Sequence, residues 1–505
     1  MTRRSLALAV LSGLLLAASF PSLNYSFLAW FALVPLLFAL RGLSIQSGLL
    51  LSFLSGLTFF FGTVSWVFNS IHVYGHVPLL PASFITLLFC IILALFVAPF
   101  GAVINHIRAT RPGIAFLAAP AVWVTLELAR THLFSGFPWA LLGYSQYRML
   151  PVIQVADLSG VYGISFVIVL VNASIAELFS DRKRFTPLLT AAVVLIGMLG
   201  YGYHRLSAET GSGGITVTVV QGNIEQDKKW DPAYQGEVIA TYKRLTRKAL
   251  ERKPDLVIWP ETAAPFYFEG ADAPYPALTD DLRTFVRSAG TPLLTGSPTY
   301  GKKDHRQLLR NAAFLLDRDG MTKAVYHKIH LVPFGEYVPL KNSILFFVNK
   351  LVQASDDFQP GAEHTVMKVR RPSGSDVAIS TVICYEIIFP DLVRRFVNEG
   401  ATVMTNITND AWFGRTGAPY QHFSMTVFRA VENRVPIARA ANTGISGFVD
   451  AKGRILGTSD IFTEAHLTRT LVPGSTKTFY TRYGDVFAYL CSLAGLVLLA
   501  LPPKK

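Results

Sequence analysis

The sequence predicts an α-helical membrane bundle of about eight transmembrane helices carrying one extracytoplasmic α/β domain. Three observations predict it. Of 505 residues, 51% are hydrophobic and only 16% charged, against roughly 25% charged in an ordinary soluble domain. The shortage falls on residues 1–204 and on the last twenty, whereas 205–483 has the composition of a soluble domain. The basic residues of the short loops, finally, gather on one side of the predicted membrane.

Apolar runs long enough for a spanning helix, about 20 residues at ~1.5 Å rise each, cover approximately 5–21, 25–41, 47–69, 80–106, 113–131, 160–179, 186–203 and 484–502. Glu127 and Arg130 sit near the end of the fifth. With the N-terminus inside, the inner loops hold Arg3, Arg4, Arg41, Arg108, Arg111, Arg182, Lys183, Arg184, Lys504 and Lys505, and the short outer loops only Arg130 and Arg148. That asymmetry orients the bundle. Seven crossings then precede the soluble domain, which lies outside, and the eighth returns the tail to the cytoplasm. The predicted domains are therefore 1–204 (seven helices), 205–483 (the catalytic domain) and 484–505 (the last helix and tail). Arg3-Arg4, followed by an apolar run ending near Ala17-Ala18-Ser19, also reads as a cleavable signal; cleavage would leave the orientation unchanged.

The net charge of +13 does not point to nucleic acid. Residues 205–483 hold 34 Lys and Arg against 28 Asp and Glu, and no basic run is interleaved with aromatics. A mildly basic tethered domain fits anionic lipid headgroups better. Cys90 and Cys491 lie in apolar runs and Cys384 stands alone in the soluble part, so no disulfide framework is available.

Within the soluble part, short β-branched runs at 215–221, 256–259, 293–296, 312–317, 377–384 and 402–406 alternate with helical stretches at 233–252, 278–289, 390–399 and 418–434. The alternation predicts an α/β domain with buried, largely parallel strands, whose chemistry collects at strand carboxyl ends. Three such ends carry reactive residues: Glu261 after Asp255-Leu-Val-Ile-Trp-Pro, Lys328 in Tyr326-His-Lys328-Ile-His, and Cys384 closing Ser380-Thr-Val-Ile. Singly each has a bland reading, as a capping acid, a surface lysine and a core cysteine. Jointly they offer a base, a cation and a nucleophile. A thiol is mostly protonated at neutral pH. Glu261 is suited to take its proton, while the Lys328 ammonium stabilises thiolate and oxyanion.

These segments, with Asn406-Ile-Thr-Asn-Asp-Ala-Trp-Phe-Gly414 and Arg439-Ala-Ala-Asn-Thr-Gly444, resemble the Glu-Lys-Cys signature of the nitrilase, or carbon–nitrogen hydrolase, superfamily over about 215–470. Seven spans before this domain and one after it narrow the resemblance to the apolipoprotein N-acyltransferase family. So does Gly136-Phe-Pro-Trp139 followed by Gly143-Tyr-Ser-Gln146, which resembles that family's outer loop. The resemblance implies an αββα sandwich outside a bacterial inner membrane, catalytic residues Glu261, Lys328 and Cys384, and ping-pong acyl transfer through a cysteine thioester. The implied donor is a phospholipid, usually phosphatidylethanolamine, and the implied acceptor the α-amine of a diacylglyceryl-cysteine apolipoprotein. Trp230, Glu336, Tyr385 and Glu386 match its further functional positions. No cofactor is implied. His327 and His330 flank Lys328 without a third ligand at suitable spacing, so no metal is expected.

The apolar stretch 343–352 reads either as a buried helix or as an interfacial lid dipping into the bilayer. Two rivals use the same features differently. A tethered amidase would need one anchor rather than eight spans, and a transporter would carry paired charges along a pathway.

Overall fold

The computed structural model describes residues 1–500 apart from 181–183, 210, 212, 230, 270–275, 304–305 and 338–357. The stretch 343–352 and Trp230 thus lie outside the described residues. The chain divides into two compact units: Met1–Ala208 with Thr416–Phe428 and Tyr483–Lys505, and Glu209–Arg415 with Arg429–Arg482.

The first unit is helical. Among the described residues four helices are long and apolar enough to cross a membrane: Ile45–Val64, Leu79–Thr110, Ala156–Phe179 and Thr186–Ser207. Helices at Arg3–Ala18, Ser26–Ala39, Ala115–His132 and Val486–Ala500 occupy the other four expected positions. The helices Ile45–Val64 and Leu79–Thr110 cross at Gly48 and Gly101. A Cβ on Gly48 would meet the Gly101 carbonyl oxygen at 2.6 Å, and one on Gly101 the Gly48 oxygen at 2.3 Å. Small residues at such a crossing let two backbones touch. The charged pair that clouded the fifth segment is used structurally. Glu127 accepts from Trp123 Nε1 at 3.0 Å and Leu142 N at 2.6 Å, while Arg130 donates to the carbonyls of Phe137, Trp139 and Ala140. Both charges thereby hold the loop that follows their helix.

Among its described residues the second unit carries two six-stranded sheets. The first has the order β12-β1-β2-β3-β4-β5, with β1 Ile215–Gln221, β2 Leu256–Ile258, β3 Leu293–Lys303, β4 Arg306–Leu316, β5 Thr322–His327 and β12 Ala465–Leu471. The second has the order β11-β10-β9-β8-β7-β6, with β6 Met367–Arg370, β7 Asp376–Ile383, β8 Val403–Thr408, β9 Ile437–Ala441, β10 Gly447–Val449 and β11 Ile455–Thr458. Gln221 at the end of β1 accepts from the Ser446 and Ser459 hydroxyls of the other sheet's loops. Outer helices follow the apolar periodicity. Val238, Ile239, Tyr242 and Leu245 of the helix Gln235–Ala249 bury one stripe against Val257 and Trp259.

The expectation of largely parallel strands is corrected. Among the described strands β1–β2, β2–β3, β7–β8 and β8–β9 pair in parallel and the other strand pairings are antiparallel. Each parallel pair is bridged by one of the four helices, whereas short turns join the antiparallel neighbours that are consecutive in sequence; β12 instead returns from the other end of the unit to pair with β1. Sequence patterning found β1–β4, β7 and β8 and passed over β5, β6 and β9–β12, the buried β9 among them. Strands such as β11 and β12 are half-exposed and carry no continuous apolar run.

Candidate active site

Glu261 is delivered by a strand that stops early. The β2 ladder still reaches Trp259, whose N–H donates to Leu294 O at 2.8 Å, and Pro260 then offers no N–H to continue it. Thr262 follows with φ +48°. Gly296 on β3 makes the turn possible, since a Cβ there would meet Glu261 Cα at 2.7 Å and Thr262 N at 2.5 Å. The buried Glu261 carboxylate accepts from Asn311 Nδ2 at 2.8 Å on one oxygen and from Asn409 N at 2.9 Å on the other.

Lys328 comes directly after β5 and is wholly buried. Its Nζ donates to Glu336 Oε1 at 2.8 Å and lies 3.7 Å from Glu261 Oε1. Burial alone would lower the Lys328 pKa. Glu336 first, then Glu261 and Cys384, outweigh it and hold the ammonium above its ordinary value. Asn311 unites the group: its Nδ2 also donates to Glu336 Oε1 at 3.1 Å, and its backbone carbonyl accepts the Lys328 N–H at 2.9 Å.

Cys384 stands at the end of β7 with φ +51°. A β-carbon in this left-handed region costs on the order of 1–3 kcal/mol and persists only where surroundings enforce it. Burial pushes the thiol pKa up, the Glu261 charge adds to that, and Lys328 together with a hydrogen bond from Thr408 opposes it. The resting sulfur is therefore a thiol.

What enforces the turn is Glu386. Its Oε2 accepts the Ile383 N–H at 2.7 Å, and its Oε1 accepts the N–H groups of Ile329 and His330 at 2.7 and 3.0 Å and the Tyr326 hydroxyl at 2.7 Å. One carboxylate thus ties the cysteine turn to the lysine loop. Burial raises its pKa to about 7 in spite of these bonds and the Lys328 charge. Tyr385 packs its ring against Phe389 and His330. His330 is occupied in that stack and His327 faces elsewhere, among Arg310, Tyr300 and Glu269.

Glu261, Lys328, Glu336, Cys384 and Glu386 therefore share one buried region of the second unit. Residues 12–174 match the family described as apolipoprotein N-acyltransferase N-terminal domain, and residues 216–480 the carbon–nitrogen hydrolase family. An apolipoprotein N-acyltransferase of Geobacter metallireducens is 43% identical, covering 100% of this chain and 96% of its own. The chain belongs to the apolipoprotein N-acyltransferase family. The Haemophilus influenzae apolipoprotein N-acyltransferase is 34% identical, covering 97% and 93%. A solved nitrilase-superfamily amidase from Nesterenkonia sp. AN1 is similar over 56% of this chain and 100% of its own, at 20% identity and a TM-score of 0.39. These relatives are acyltransferases of apolipoproteins by name, and this chain carries four helices long and apolar enough to cross a membrane among its described residues.

Three residues around the candidate site escaped the sequence reading. Asn311 and Asn409 orient Glu261. Lys229 is buried and donates to the Glu261 carbonyl at 2.8 Å; burial lowers its pKa to about 8, against the pull of Glu261 and Cys384. Asn409 lies inside a quoted motif, Asn406–Gly414, and its companion motif explains itself here too. Arg439 donates to Asp410 Oδ2 at 2.8 Å and also bonds Asn406, with both charged side chains fully buried. Gly444 leaves room for that carboxylate, because a Cβ there would lie 2.2 Å from Asp410 Oδ2.

Proposed function

We propose that this chain transfers a fatty acyl group from a membrane phospholipid to the α-amino group of an S-diacylglyceryl-cysteine at an apolipoprotein's N-terminus, the last step of lipoprotein maturation. Cys384, Glu261 and Lys328 are the catalytic residues. The observation that carries the reading is the buried thiol of Cys384 under the joint influence of Glu261 and Lys328, within a chain of this family.

Because the resting sulfur is a thiol, attack needs a base. Glu261 takes the proton as Cys384 Sγ adds to the donor's ester carbonyl, and the Lys328 ammonium stabilises the oxyanion that forms. Collapse breaks the ester C–O bond. The departing lysophospholipid oxygen receives the proton from Glu261, leaving an acyl-thioester. In the second half the acceptor amine attacks the thioester carbonyl and gives its proton to Glu261. Collapse expels the Cys384 sulfur, which is reprotonated, and an amide remains. Glu336 is the closer partner of Lys328, so Glu261 is free to gain and lose a proton while the ammonium stays compensated. Trp230 and Tyr385 are assigned to substrate support. Phosphatidylethanolamine is the proposed donor, the bacterial inner membrane the location, and the periplasm the side of the catalytic domain.

The test follows the acyl group. Purified protein incubated with acyl-labelled phosphatidylethanolamine is weighed intact. The expected result is a fatty-acyl adduct on Cys384 that discharges to a diacylglyceryl-cysteine peptide. Labelled free fatty acid with no amide product would instead identify a hydrolase and overturn the reading.

A further inference from the structure

The first unit holds a charged constellation of its own. Glu177, in the last turn of the helix Ala156–Ser180, faces three arginines: Arg41 Nη2 and Arg108 Nη2 lie 3.2 and 3.6 Å from its Oε1, and Arg184 Nη1 lies 3.7 Å from its Oε2. Arg41 also donates to Ala176 O at 2.7 Å. Among the described residues one carboxylate thus serves three guanidiniums. Its capacity is not enough: Arg41 Nε, Arg108 Nε and Arg108 Nη1 are buried without a hydrogen-bond partner. A charged donor buried without a partner is costly, and a ligand that satisfies it recovers that cost. The combination of surplus positive charge and several convergent N–H groups matches a phosphate, whose oxygens take guanidinium forks pairwise.

What surrounds the cluster distinguishes a phospholipid from a soluble phosphate. Its members sit at helix ends: Arg41 just past Val34–Ala39, Arg108 in the last turn of Leu79–Thr110, and Arg184 just before Thr186–Ser207. Phe38, Phe179, Phe185 and Leu189 at those same ends are exposed. Apolar surface beside a cationic pocket at a helix terminus suits a headgroup with acyl chains attached. We propose that Arg41, Arg108 and Arg184 bind the headgroup phosphate of an anionic phospholipid, in the leaflet that the basic loops assign to the cytoplasm. This site is independent of acyl transfer.

The full chain in neutral detergent tests it, with phosphatidylglycerol, phosphatidylcholine and inorganic phosphate as separate probes. Native mass spectrometry should retain phosphatidylglycerol in preference to phosphatidylcholine, and inorganic phosphate should not compete at equal concentration. Arg108→Gln and Arg184→Gln should each weaken phosphatidylglycerol binding about tenfold or more, the scale of one charge-assisted bond. Glu177→Gln, which removes the competing carboxylate, should tighten it. Arg184, the most exposed of the three, gives a readout should Arg108→Gln fold poorly. Its variant should form the Cys384 acyl adduct at the normal rate, which separates this site from the donor lipid's. Equal retention of both lipids, or unchanged affinity in Arg184→Gln and Glu177→Gln, would overturn the proposal. Competition by inorganic phosphate would reassign the cluster to a soluble anion.

Discussion

Lys328 donates to Glu336 at 2.8 Å, about an ångström closer than its approach to Glu261 at 3.7 Å. The buried cation therefore has a permanent counter-ion besides the residue proposed as base. This division of labour shapes the first expectation. Lys328→Met should slow both formation and discharge of the Cys384 adduct by about 10²–10³-fold, the usual cost of one oxyanion donor. Lys328→Arg should recover only part, because a planar guanidinium fits the Glu336 contact differently. Normal rates in Lys328→Met would return the lysine to a structural role.

Cys384→Ser should fold and insert normally yet form no acyl adduct by intact mass, since an alkoxide is far harder to form beside Glu261 than a thiolate. A full-sized adduct and normal turnover in that variant would remove the covalent mechanism.

Glu386 gives opposite pH signatures for stability and activity. Its folded pKa of about 7 stands above the ordinary carboxylate range of roughly 4, so the folded form binds the proton more tightly. The stability it contributes is full below that range and lost as pH rises through about 7. Activity should move the other way, because the four hydrogen bonds Glu386 accepts need its ionised form to hold the Cys384 turn. Adduct formation should thus decline below about pH 7. Lys229, with its pKa lowered to about 8, acts above that window. Thermal midpoints and adduct rates between pH 5 and 8, compared with Glu386→Gln, check this; an identical pH dependence in the variant refutes it.

Asp410→Ala should destabilise the second unit by about 3–5 kcal/mol, because it strands the fully buried Arg439 without its counter-ion. Gly444→Ala should also destabilise by forcing a methyl against the same carboxylate. Unfolding midpoints in detergent measure both, and a midpoint unchanged in Asp410→Ala would show the pair to be dispensable.

Reporter fusions at several points within 205–483 should be extracytoplasmic, and fusions at 181–185 and 504–505 cytoplasmic, as the basic loops require. A cytoplasmic signal from 205–483 would contradict the proposed lipoprotein substrate, which matures outside.

Legible in the linear chain are the division into apolar bundle and α/β part, the strands β1–β4, β7 and β8, and the three strand-end residues Glu261, Lys328 and Cys384. These are local signals: hydropathy, periodicity, and a reactive residue following an apolar run. Tertiary structure decided what one-dimensional spacing does not encode. Asn311 bridges Glu261 and Glu336 from a strand that reads as ordinary. Lys229 looks like half of a surface Lys-Lys pair until folding buries it against the Glu261 carbonyl. Glu386 joins loops 57 residues apart in sequence. The mixed sheets belong to the same class, since strand direction follows from how connections close in space. Each is a hydrogen bond or a burial between segments remote in the chain, and its energy exists only once the chain has brought them together.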